Sequence, residues 1–179
     1  MPVYALGDAA PVIDSTAYIH PDAVIIGQVR VGPRTSVWPA TVLRGDHGSV
    51  CIGGLVAVQD GTVVHGNSAG PTTVGDRCVI GHLAHLEGCR VGDDCLIGSG
   101  SITMPQAQLA DGAMVAAGAV VRRGMTIPSG HVALGVPAHL QEASNQSVNR
   151  LSAAVNRHAE LADRYRFEMR SMDEAEWRG

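Results

Sequence analysis

Apolar residues recur every six positions along most of the chain, and nothing else in the sequence narrows the possible folds so far. The series runs Ile13, Ile19, Ile25, Val31, Val37, Leu43. It resumes at Ile52, Val58, Val64, again at Val74, Ile80, Leu86, and finally as Val91, Ile97, Thr103, Leu109, Val115, Val121, Ile127 and Ala133. Four residues after most of these stands a small or medium residue, such as Ala23, Thr35, Thr62, Cys78, Ala84, Cys95 or Ala107. An α-helix, with its period of about 3.6, sends positions six apart to different faces. A strand of two or three residues followed by a bend keeps them on one side. One such coil buries little, so the coils must stack to make a core. The pattern therefore predicts an all-β solenoid, with the aliphatic residue inside a prism and the small one near a corner. A β-sandwich with coincidental spacing would not sustain the repeat through so few interruptions.

Composition agrees. Of 179 residues, 22 are glycine and only 3% are aromatic, which suits short strands and tight turns. A net charge of −4 argues against nucleic acid or an anionic membrane as the main partner. The N-terminal MPVYALGDAA lacks the basic and apolar regions of a signal peptide. No apolar run approaches the roughly 18 residues of a membrane span. The four cysteines, Cys51, Cys78, Cys89 and Cys95, form no C-x-x-C pair, and Cys78 and Cys95 fall in inward slots of the repeat. Reduced, buried thiols and a cytoplasmic location are expected.

The repeat is interrupted where chemistry is expected. Three extra residues lie between Leu43 and Ile52, a longer gap spans Gly66 to Thr73, and the step from Leu86 to Val91 is one short. Solenoid loops are where function is usually added. After Pro137 the period changes: Val148, Leu151, Val155, His158, Ala162, Tyr165, Met169 and Met172 step by threes and fours, a helix with one apolar stripe. The expected division is a β-helix over 1–140 and a helical segment over 141–179. In that stripe His158 reads as a partly buried helix histidine, and His20, His131 and His139 read as scattered exposed ones.

Polar residues cluster around the interruptions: Arg44-Gly45-Asp46, Gln59-Asp60, His65, His82, His85 and Glu87. Arg44, Gln59, His65 and Glu87 each follow an inward aliphatic and so point outward. His85 and Glu87 flank Leu86 on the same outer side. Imidazole and carboxylate on a rigid face suit a zinc-type ion, with room left for water. The residues alone leave open a simple scatter of surface histidines.

Five motifs carry a resemblance: VLRGD at 42–46, VQDGTVVH at 58–65, VGDRCVIGH at 74–82, LIGSGS at 96–101 and GVPA at 135–138. Together they resemble the γ-carbonic-anhydrase-like family, from Ile13 to about Leu140. The resemblance implies a left-handed parallel β-helix with a C-terminal α-helix packed along it. It also implies a homotrimer holding zinc, or iron or cobalt, between subunits, and an attack on CO2 by metal-activated hydroxide. His65 and His82 match two ligand positions. The third, a histidine in the family, is Glu87 here, with His85 two residues earlier. Either could complete the site, with Glu87 as ligand or as base. Arg44 and Asp46 match a pair that bridges subunits, and Gln59 and Asp60 match residues near the metal water. His47 stands where active members carry an acid, as a proton shuttle or a plain loop histidine. The acidic loop of some members is missing, since residues 66–73 hold no acid. Alternatives are therefore a metal-dependent acyl-CoA thioesterase and a non-catalytic trimeric scaffold or small-ligand binder. An acyltransferase, common among hexapeptide-repeat proteins, has no independent sign in the sequence.

Overall fold

The computed structural model describes residues 2–178. Short parallel strands stack into three flats. The first carries 24–26, 42–44, Val63–His65, His85–Glu87, Ile102–Thr103 and Val120–Val121. The second carries Val12–Ile13, 29–31, 50–52, Thr72–Val74, Arg90–Val91, Gln108–Leu109 and Thr126–Ile127. The third begins with Tyr18–Ile19 and ends with His131–Leu134, capped by the antiparallel strand His139–Glu142. Two long strands, Val24–Val31 and Val42–Ile52, bend round a corner and make the first two flats continuous. The chain is a left-handed parallel β-helix: the repeat implied the solenoid and the resemblance its hand.

The interior is built from columns in exact register of the repeat. On the first flat, Ile25, Leu43, Val64, Leu86, Thr103 and Val121 lie one above another, each fully buried. Burying each aliphatic side chain stabilises the fold by about 1.5–3 kcal/mol. The small corner residues are buried with their hydroxyls satisfied: Thr35 Oγ1 donates to the Gly53 carbonyl at 2.6 Å and Thr62 Oγ1 to that of Gly81 at 2.9 Å. Glycine is required where coils touch. A Cβ on Gly32 would stand 2.6 Å from the Gly53 carbonyl carbon, and one on Gly53 2.7 Å from that of Gly75.

Helix α1, Asn145–Glu168, runs along the third flat. Leu151 and Val155 pack on Val79, and Ala162 on Tyr18 and Trp38. The side chain of Val148 lies outside the described residues. The helical stripe is shorter than its sequence pattern. The helix stops at Glu168, and Met169 and Met172 are exposed. Tyr18–Ile19 is the end strand of the third flat, and Met169 still reaches it, its Sδ accepting from the Tyr18 hydroxyl at 3.9 Å. His20 also departs from expectation. It is buried, its Nδ1 accepting the Asp22 N–H at 3.1 Å in the turn after Ile19.

Candidate functional site

Parallel register turns the sequence spacing into a column. Arg44 pairs with His65 and His65 with Glu87 on the outer side of the first flat, one residue beyond the buried Leu43–Val64–Leu86 column. His85 stands one column over, in register with Val63. The irregular loops close over this column. Gly48 and Gly66 meet in an antiparallel bridge, an approach that leaves no space for a Cβ at either position. The same path brings the loop at 67–70 beside Glu87.

Asp46 is the anchor. Its Oδ1 accepts from His65 Nε2 at 2.8 Å and from the His47 N–H at 2.9 Å, and its Oδ2 accepts from Arg44 Nη1. Partial burial opposes ionisation, but hydrogen bonds from His65, Arg44 and the His47 N–H outweigh it. Together they hold the carboxyl well below the usual carboxylate range. An ionised Asp46 can only accept, so His65 carries its proton on Nε2. In the neutral ring the lone pair is then on Nδ1, which faces Glu87 Oε1 at 3.7 Å. Glu87 is kept ionised chiefly by the hydrogen bond from Asn67 Nδ2 at 2.8 Å, against partial burial, with His85 adding to it. His85 Nε2 lies 3.4 Å from Glu87 Oε2. His47 itself is exposed and joins the cluster through its backbone alone.

The other expected residues sit elsewhere on the prism. His82 occupies the corner after the third flat, half-exposed, with Nδ1 3.0 Å from Asp60 Oδ2. Gln59 is buried on the third flat and meets His158 of α1, Nε2 to Nε2, at 2.8 Å. The chain thus carries two separate clusters: Arg44, Asp46, His65, His85 and Glu87 on one side, and Gln59, Asp60 and His82 on another. Among the described residues, no three His, Cys, Asp or Glu side chains converge on one cation position.

Two participants were missed by sequence reasoning. Asn67 lies in the gap after His65, and nothing local in the sequence shows that its loop folds back over Glu87. His158 read as a bland helix histidine. A polar ring inside an apolar stripe was the available signal. All four cysteines are free and three are buried, and burial pushes the Cys89 thiol up to about 12.

The donor set fits a divalent ion in kind. Nδ1 of His65 and the Glu87 carboxylate face each other at 3.7 Å, too far apart for a hydrogen bond. Their spacing is close to the roughly 3.4 Å between two ligands on one zinc at bond lengths of about 2.0–2.1 Å.

Known proteins share this sequence pattern and fold. The bacterial transferase hexapeptide family (six repeats) matches residues 88–123. The chain is 38% identical over 162 residues to γ-carbonic anhydrase 1, mitochondrial, of Arabidopsis thaliana, covering 87% of this chain and 59% of that protein. It therefore spans less than two thirds of the length of that relative. It is 37% identical over 149 residues to the carnitine operon protein CaiE of Proteus sp. (strain LE138), covering 83% of this chain and 76% of that one. A crystal structure of a hexapeptide transferase family protein from Anaplasma phagocytophilum superposes with a TM-score of 0.88 at 34% identity. The match covers 92% of this chain and 98% of that one.

Proposed function

Because the chain belongs to the γ-carbonic-anhydrase-like family of hexapeptide-repeat proteins, we propose that its two clusters are halves of one metal centre, joined across subunits of a homotrimer. The observation that carries this reading is the Asp46–His65–Glu87 column, in which Asp46 holds the His65 ring through Nε2 and leaves Nδ1 facing the Glu87 carboxylate at 3.7 Å. His65 and Glu87 of one copy and His82 of the next would hold zinc, or iron or cobalt. Such an ion supplies the Lewis acidity that makes water a nucleophile near neutral pH.

The chain's own groups do the rest. Asp46 fixes the tautomer and tilt of His65, the role a carboxylate commonly takes behind a ligating histidine. Arg44 and the His47 N–H keep Asp46 ionised in that role. Asn67 and His85 hold the two oxygens of Glu87. His85, half-exposed beside that carboxylate, is placed to carry a proton outward. Asp60 orients His82 from its Nδ1 side. Gln59 directs the attacking water. The proposed reaction is CO2 hydration: the water oxygen bonds to carbon, one C–O π pair moves onto oxygen, and the water's proton leaves through the histidine and solvent.

The absence of an acid in residues 66–73 favours a second reading, in which slower chemistry on a small acyl-CoA thioester occupies the same centre. A cytoplasmic setting is proposed with it, one that would keep the four free thiols reduced. No helix is long and apolar enough to cross a membrane among the described residues. Stopped-flow CO2 hydration by the zinc-, cobalt- and iron-loaded protein tests the first reading, and a panel of acyl-CoAs with a thiol reporter tests the second. Turnover of CO2 above buffer that disappears in His82→Ala supports hydration. A buffer-equal rate at every pH with every metal contradicts it, and thiol release from any acyl-CoA then selects the second reading.

A further inference from the structure

Gln59 and His82 come from adjacent coils at the same side of the prism, and α1 brings His158 to them. Gln59 is only 8% exposed, and its Nε2 lies 2.8 Å from His158 Nε2. An amide nitrogen donates and cannot accept, so the ring nitrogen is the acceptor and the ring proton is on Nδ1. The ring is held in that pose. Trp38 meets it edge-on at 6.3 Å between centroids, and Trp38 is itself fixed by Tyr165 at 5.1 Å and by its Nε1 donating to Ser36 Oγ at 3.0 Å. His158 Nδ1 is buried with no hydrogen-bond partner among the described residues. A ring placed for packing alone would gain nothing from this. Its one polar connection among the described residues is to Gln59.

The charged groups around it favour the neutral ring. Burial acts first, then the positive fields of Arg157 and His82, with Asp60 alone opposing. A second ring proton on Nε2 would also point at the Gln59 N–H. The pair lines a groove of about 440 Å³ between α1 and the third flat, bordered also by Gly81, Ser99, Ala154 and Arg157. Small molecules can therefore approach it.

We infer that His158 is a positioning residue that fixes which end of the Gln59 amide meets the attacking water. With the amide N–H committed to the ring, the Gln59 oxygen is the end left to face the water. An acceptor there takes one water proton in a hydrogen bond and leaves the oxygen lone pair free for the carbon of the substrate. The flipped amide would offer an N–H that competes for that same lone pair. The C-terminal helix thereby becomes part of the reaction site. This rests on the reading of Gln59 as the group that directs the nucleophile.

Two experiments on the intact protein test it. Imidazole-detected ¹H–¹⁵N NMR near pH 7 should show His158 neutral with its proton on Nδ1, and Gln59→Ala should shift its ring signals. A neutral ring protonated on Nε2, or signals indifferent to Gln59→Ala, would overturn the bond. In CO2 hydration by the zinc-loaded protein, His158→Phe keeps the aromatic contact with Trp38 and removes the acceptor. It should lower kcat roughly 10- to 100-fold with KM little changed. His158→Gln, which restores an acceptor, should recover most of the loss. An unchanged kcat in His158→Phe, or equal losses in both variants, contradicts the positioning role. No turnover by the wild type removes the proposed activity and the positioning role with it, while the NMR result still decides whether the bond exists.

Discussion

Leu86 and Glu87 are neighbours on one three-residue strand, yet they belong to different parts of the molecule. Leu86 lies in the fully buried column that runs from Ile25 through Leu43 and Val64, where every coil contributes an equivalent side chain. Glu87 lies in the outer column with Arg44 and His65, where each side chain has a particular partner. The alternation of a strand separates the two by a single residue. Folding is carried by the inner column, whose members, Thr103 apart, are apolar and of matching size. The outer column is therefore free to carry groups chosen for chemistry. Rigid stacking below holds those groups in register without their contributing much to stability.

That separation can be broken most severely from the inside. Leu86→Ala should destabilise the protein by about 3 kcal/mol, within the 2–5 kcal/mol usual for a fully buried leucine, measured as a fall in the urea midpoint. Glu87→Gln, one residue on and nearly isosteric, should change stability by less than about 1 kcal/mol and abolish cation binding. Comparable losses of stability in the two variants would mean that the outer column is structural.

Acid should act on the outer column next. The folded-state pKa values of Asp46 and Glu87 are both depressed. The unfolded chain therefore takes up these protons at a higher pH than the folded one. Their contribution is complete above the unfolded carboxylate values of about 3.9 and 4.3 and is lost as pH falls through the lower folded values. Stability followed by circular dichroism should decline below about pH 4, and Asp46→Asn should flatten that decline. An acid limb unaltered in Asp46→Asn would show that the hydrogen bonds to His65 and Arg44 contribute nothing.

The smallest expected effect is that of Asn67→Ala. Its main consequence should be an upward move of the Glu87 carboxyl toward its ordinary range, read by ¹³C NMR, with little change in thermal midpoint. A Glu87 titration identical to that of the wild type would remove Asn67 from the site.

The inner column was legible because it obeys one rule repeated along the chain. The predicted inward residues from Ile25 to Ala133 are buried without exception. The outer column was half legible. That Arg44, His65 and Glu87 face outward followed from alternation, but their vertical order depends on how many residues each loop absorbs, which the six-residue pattern does not encode. Hence Glu87 and His85 could not be told apart from sequence, whereas register sets Glu87 above His65. Asn67 and His158 were illegible for the same reason, one delivered by an irregular loop and the other by the docking of a helix. His20 was misread because a corner histidine and a surface histidine look alike until the turn after Ile19 buries one ring nitrogen against the Asp22 N–H.

The division into two clusters is tested most directly by complementation. His65→Ala lacks one half of the proposed centre and His82→Ala the other, so neither should bind cobalt, followed by its visible absorption. If the halves meet across subunits, unfolding the two variants together and refolding them as mixed trimers should restore about a quarter of the wild-type cobalt sites, the random frequency of one intact pairing in a cyclic assembly. Full binding by either variant alone, or none in the mixture when the wild type binds, would contradict a centre shared between subunits.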